Sequence, residues 1–199
     1  VGGGAGELAF LDGITLDRLK KLDGMHRTNQ ISDMAFGLNG AILVTGGGFG
    51  SGVTLTDVAG GNSITNLTAI EGAFPTQPLA VSRDGKWLAT GSPEGRVRVW
   101  NLASLRPVAR SPQPVRGLQC AAFAPDGRVV AFADESGTIS LWEYGRNKAP
   151  RILARQTEGS PIALAFSADG TLAVASMDHT IRLWNPRIDQ EVATLAEHN

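Results

Sequence analysis

Three histidines, one cysteine and a glycine-rich loop are the residues of this 199-residue chain whose types could support chemistry. His26, His179 and His198 share no ligand-like spacing with one another or with Cys120, so no metal centre is expected. Cys120 lies in the apolar run LQCAAF and reads as a small core residue. Gly46 to Gly52 (GGGFGSG) has the composition of a phosphate loop, but no Lys-Ser/Thr follows. The segment leads into a strand and not into a helix whose N-terminus could face a phosphate. It reads as a long inter-strand turn with Phe49 at its tip. No Gly-x-Ser-x-Gly elbow and no calcium-loop pattern of alternating acids is present. Asn66-Leu67-Thr68 is a glycosylation sequon on an outer strand. No catalytic residue, cofactor-binding residue or metal ligand is predicted, and no cofactor.

Composition narrows the partners. The net charge of -1 and pI near 6.3 supply no cationic field, so nucleic acid is not expected as a partner. Hydrophobic residues at 42% and charged residues at 19% mark a globular chain. A lone cysteine supports no disulfide framework and favours a reducing compartment, read here as the cytoplasm. No apolar stretch approaches the roughly 20 residues that span a bilayer, and VGGGAGELAF lacks the regions of a signal peptide, so no membrane partner is expected.

The elements that position these residues emerge from a repeat. Asn39-Gly40, Asp84-Gly85, Asp126-Gly127 and Asp169-Gly170 are 45, 42 and 43 residues apart. Each is a hairpin signal, read as a type I′ turn with positive φ at both residues. Each lies between apolar runs too unbroken to have a solvent face, as in PLAVS and KWLATGS, or CAAFA and RVVAFA. About ten residues later comes an alternating strand: GVTLTDV, RVRVWNL, TISLWEY and TIRLWNP. Trp100, Trp142 and Trp184 recur there at intervals of 42, with Thr56 in the same place earlier. A weaker fourth strand closes each unit (SITNLTA, LRPVAR, PRILAR, QEVATLA). LDRLKKL (16 to 22) occupies the closing-strand position and is read as strand, although its apolar spacing also fits a helix. Four-stranded units with this period cannot bury both faces alone and must stack as propeller blades.

SRDGKWLATGSPEGRVRVWNLAS (82 to 104), APDGRVVAFADESGTISLWEY (124 to 144) and SADGTLAVASMDHTIRLWNPR (167 to 187) resemble the WD-repeat family. The Trp-Asp dipeptide itself is absent, replaced by Trp100-Asn101, Trp142-Glu143 and Trp184-Asn185. The resemblance implies a buried Ser/Thr-His-Asp-Trp network, of which Asp178 with Trp184 looks like half; no complete network is expected in that unit, which lacks a histidine before its first strand. The Ala, Arg and Gly richness looks like bacterial members of the family.

The expected fold is all-β, a propeller arc of four-stranded antiparallel blades, with four complete blades plus two strands of another. The blades are placed at about 1–24 (partial), 30–70, 78–111, 118–156 and 161–196, in one segment spanning 1–199. The rest of the ring is expected from a longer polypeptide, with homo-oligomerisation as the other route. What the resemblance implies is a non-catalytic protein-interaction scaffold, the regulatory or sensory part of a larger multidomain protein. Its partner-binding face would be the end carrying the turns between second and third strands and the connections between blades. Arg27, Phe49, Phe74, Glu94, Arg116, Glu135, Glu158 and His179 stand there, mixed in charge with aromatic and Arg anchors. The alternative is a propeller enzyme of hydrolase or lactonase type with a central-channel site, for which the inner strands offer only Asp33.

Overall fold

The fold is seen in a computed structural model that describes residues 8–11, 18–22, 31–47, 52–67, 79–92, 94–115, 117–146 and 148–196. The chain forms two compact units, residues 1–76 and 77–199. In the first, β1 (Leu8–Leu11) pairs antiparallel with β2 (Arg18–Leu22), so the closing-strand reading of this stretch holds. β3 (Ile31–Gly37), β4 (Ile42–Gly47), β5 (Val53–Asp57) and β6 (Ser63–Asn66) form a four-stranded antiparallel sheet in chain order. Its central strands bury Leu43, Val44, Val53 and Leu55. Thr56, which holds the tryptophan position of the later repeats, is fully buried.

The second unit contains three such sheets. The first consists of β7 (Leu79–Val81), β8 (Trp87–Gly91), β9 (Val97–Asn101) and β10 (Arg106–Arg110). β11 (Leu118–Phe123), β12 (Val129–Asp134), β13 (Thr138–Glu143) and β14 (Arg151–Arg155) make the second. The third comprises β15 (Pro161–Phe166), β16 (Leu172–Ser176), β17 (Ile181–Asn185) and β18 (Gln190–Leu195). All pairings are antiparallel between chain neighbours. The all-β class and the four-stranded blades are therefore as the repeat requires.

Alternation along β12 explains why its sequence has no polar face. Val130 and Phe132 point one way, into a cluster with Ala89, Val97, Val99 and Trp142. Ala131 and Ala133 point the other way, joining Cys120, Ile139, Leu141, Leu172 and Val174. The middle sheet is thus packed on both sides, and a strand with two buried faces must be apolar at successive positions. Each fully buried Val, Leu or Phe there contributes about 1.5–3 kcal/mol.

The turns differ from the sequence expectation. At Asp84-Gly85, Asp126-Gly127 and Asp169-Gly170 only the glycine takes positive φ, at 68°, 67° and 93°. Its N–H donates to the carbonyl three residues back, from Gly85 to Ser82, Gly127 to Ala124 and Gly170 to Ser167. These are type I turns followed by a left-handed glycine, not type I′ turns. The aspartate belongs at the last right-handed position, because its Oδ1 accepts the N–H two residues on, from Lys86, Arg128 or Thr171. Only Asn39-Gly40 has positive φ at both residues, 55° and 86°, within a short 3-10 turn.

Candidate functional site

Two ends of the second unit carry polar groups on a rigid support. At one end, the turn after the second strand of each sheet is bonded to the connections between sheets. Val115 N–H donates to Gly95 carbonyl (2.5 Å), Gln156 to Gly137 (2.9 Å), Glu135 to Gly117 (2.8 Å) and Met177 to Ser160 (2.9 Å). This interlocking produces one rim and brings Glu94, Glu135, Glu158 and His179 to it, all exposed. The Glu94 carboxylate turns inward to hold Arg98 Nη2 (3.0 Å) and accepts the Ser92 hydroxyl, which with neighbouring arginines keeps its carboxyl below the ordinary range. Arg27, Phe49, Phe74 and Arg116 lie outside the described residues.

Gly95, Gly137 and His179 occupy the same turn position in the three sheets, with φ of 73°, 81° and 64°. The backbone there demands a left-handed residue, and a side chain at Gly137 would place Cβ 2.2 Å from the Gln156 carbonyl oxygen. The third sheet instead projects the His179 imidazole outward.

The tryptophans do not play equal roles. Trp100 Nε1 donates to Thr90 Oγ1 at 3.0 Å, a buried side-chain link. Val174 stands at the Thr90 position in the third sheet and can accept nothing, so the buried Trp184 Nε1 has no hydrogen-bond partner. Asp178 does not reach Trp184. Its Oδ1 takes the Thr180 hydroxyl (2.7 Å) and N–H (3.1 Å), and its Oδ2 takes Arg182 Nη2 (2.7 Å). The Thr180 hydroxyl and the Arg182 guanidinium hold the carboxyl below its ordinary value against the opposing effect of burial. Half of the expected network thus exists in the first sheet, between residues not paired in the sequence reading.

At the opposite end lies a feature the sequence reading missed, a cleft of about 800 Å³ between the second and third sheets. Val129, Leu141, Phe166 and Pro186 line it with apolar surface, and Asp126, Glu143, Lys148, Asp169 and Arg187 contribute charge. Arg151 braces one wall by donating to the Asp189 carboxylate and the Pro186 carbonyl. The matching end of the junction between the first and second sheets is occupied by aromatic side chains. There Tyr144 meets Trp87, Phe123 and Trp142 edge-on at 6.1–6.2 Å between centroids, and its hydroxyl donates to the Gly127 carbonyl (2.5 Å). One repeat later, the Trp87 position holds Val129 and the Tyr144 position holds Pro186. Aligning the repeats at these two columns was the signal that could have found the cleft.

Among the described residues, no three His, Cys, Asp or Glu side chains converge to hold a metal ion. Nor is any helix there long and apolar enough to cross a membrane. Burial pushes the Cys120 thiol up to about 12 and leaves it an inert core group.

Sheets of this connectivity, stacked on a repeat of about 42 residues and closed by interlocking loops, define a propeller-blade protein. Residues 79–101, 111–143 and 152–185 match the family described as WD domain, G-beta repeat. The chain belongs to the WD-repeat family. It is 33% identical over 136 residues to a WD repeat-containing protein of Synechocystis, covering 68% of this chain and 38% of that one. It is 28% identical over 99 residues to the target of rapamycin complex subunit wat1 of Schizosaccharomyces pombe, covering 49% and 31%. Over 170 residues it is 24% identical to a periodic tryptophan protein 2 homolog of Dictyostelium discoideum, covering 83% and 18%. The chain therefore spans well under half the length of these relatives.

Proposed function

We propose that this chain is a non-catalytic protein-interaction scaffold, the regulatory or sensory propeller part of a larger multidomain protein working in the cytoplasm. The observation that carries the reading is the rim, where backbone hydrogen bonds between turns and connections hold Glu135, Glu158 and His179 exposed on rigid blades. A rigid surface of mixed charge loses little entropy on binding and selects partners by charge complementarity. The name of one relative, a subunit of the target of rapamycin complex, is in keeping with a role in assembly.

Completion of the ring by further blades of a longer polypeptide has support in the outer side of the third sheet. Ala131, Ala133, Ile139 and Leu141 form the side of the second sheet that the third covers, and all are at most 5% exposed. At matching register the third sheet repeats Ala173, Ala175, Ile181 and Leu183 on its outer side, only partly buried. Sedimentation of the chain tests this part: a monomer is expected, whereas a dimer abolished by Leu183→Lys would assign closure to a second copy.

The scaffold reading is tested by affinity capture from the source cell's extract, quantified by mass spectrometry. The wild-type chain is compared with a rim variant (Glu135→Lys, Glu158→Lys, His179→Glu) and with Arg187→Glu at the opposite end. Partners lost by the rim variant and retained by Arg187→Glu are expected; identical partner sets for all three would refute the assignment.

A further inference from the structure

The cleft at the second junction has an internal template for its occupant. In the first junction the same space is filled by Tyr144, whose ring packs on Trp87 and Phe123 and whose hydroxyl donates to the Gly127 carbonyl. The second junction keeps the receiving groups: Phe166 stands for Phe123 and Gly170 for Gly127. It lacks the filling groups, with Val129 for Trp87 and Pro186 for Tyr144. A Cβ on Gly127 would touch the Trp87 ring at 3.7 Å, whereas one on Gly170 would meet nothing within 4 Å. We propose that this cleft receives a tyrosine side chain from an extended segment of a partner protein.

The aromatic ring would lie against Phe166 and Val129, burying the apolar floor that aromatic side chains fill in interfaces. Its hydroxyl would donate to the Gly170 carbonyl, as Tyr144 does to Gly127. Asp126 and Lys148 at the margin present both signs of charge to the polar backbone of an extended segment. These 199 residues do not supply the occupant, because their one tyrosine, Tyr144, is already committed to its own junction. This inference concerns the end opposite the rim and does not depend on the scaffold reading.

The test is an NMR titration of the ¹⁵N-labelled chain with the capped peptide acetyl-Ala-Tyr-Ala-amide, and with the same peptide carrying Phe or Ala in place of Tyr. The Tyr peptide is expected to shift the amides of Val129, Phe166 and Gly170 and to saturate with Kd on the order of 1 mM. The Phe peptide should bind about three- to tenfold more weakly for want of the hydroxyl bond, and the Ala peptide should produce no saturating shift. Filling the cleft from within by Val129→Trp with Pro186→Tyr should weaken the Tyr peptide at least tenfold. Val129→Trp alone, at a partly exposed site, replaces the double variant should that not fold. Equal response to the Tyr and Ala peptides, shifts confined to other surfaces, or unchanged binding by the filled variant would each overturn the proposal.

Discussion

The two sheet junctions of the second unit share one register and nearly one set of core residues, yet one is full and the other open. Both are apolar at depth, where Val97, Val99 and Phe132 in the first match Ile139, Leu141 and Val174 in the second. They part at the end bearing the Asp-Gly turns, where Trp87 and Tyr144 give way to Val129 and Pro186. Depth is where stability is set, because every side chain there is enclosed on all sides. The outer ends of the junctions tolerate large changes of volume and so are where repeats can diverge in function.

The comparison breaks most readily at Tyr144. Tyr144→Ala removes three ring contacts and the Gly127 bond and should cost about 3 kcal/mol in urea unfolding, while Pro186→Ala should cost under about 1 kcal/mol. Equal losses would show the two junctions to be energetically alike. Trp87→Val copies the open junction into the closed one and should cost about 2 kcal/mol by the same measurement.

A smaller effect sharpens the contrast through pH. Burial, with the Asp84 and Asp126 carboxylates nearby, pushes the Tyr144 hydroxyl up to about 12. The folded state therefore favours the neutral phenol. That contribution is complete below about pH 10 and is lost as pH rises toward 12. Tyr144→Phe should flatten this part of the alkaline stability profile, as read from Tm between pH 9 and 12. Smallest is a gain at the rim: His179→Gly should stabilise by about 1 kcal/mol, since the first two sheets already place glycine at that left-handed position.

Much of the fold was legible because it rests on spacing. The turn dipeptides fixed the hairpins, and the unbroken apolar run of β12 announced two buried faces. The turn type was not legible, since Asp-Gly serves a type I′ turn and a type I turn with a trailing left-handed glycine equally well. The aspartate side chain decides between them by capturing the N–H two residues on, a bond invisible to pattern. The rim was legible in part: Glu94, Glu135, Glu158 and His179 are exposed as loop positions should be, but the bond from Arg98 to the Glu94 carboxylate was not legible. The cleft was not legible from any single repeat, because it consists of what Val129 and Pro186 fail to fill. Trp100 bonding Thr90 was likewise hidden, because the Thr90 column holds Phe132 and Val174 in the next two repeats and shows no shared hydroxyl.

The outer side of the third sheet, with Ala173, Ala175, Ile181 and Leu183, has a consequence for how such a molecule grows. A repeat that shows on one side the same four side chains its predecessor hides carries its own mating surface with it. When a gene segment encoding one repeat is copied, the new unit meets a surface already suited to it, and lengthening demands no simultaneous change elsewhere. Selection is then left to act on the margins, where two replaced aromatics are enough to turn a filled seam into a cavity.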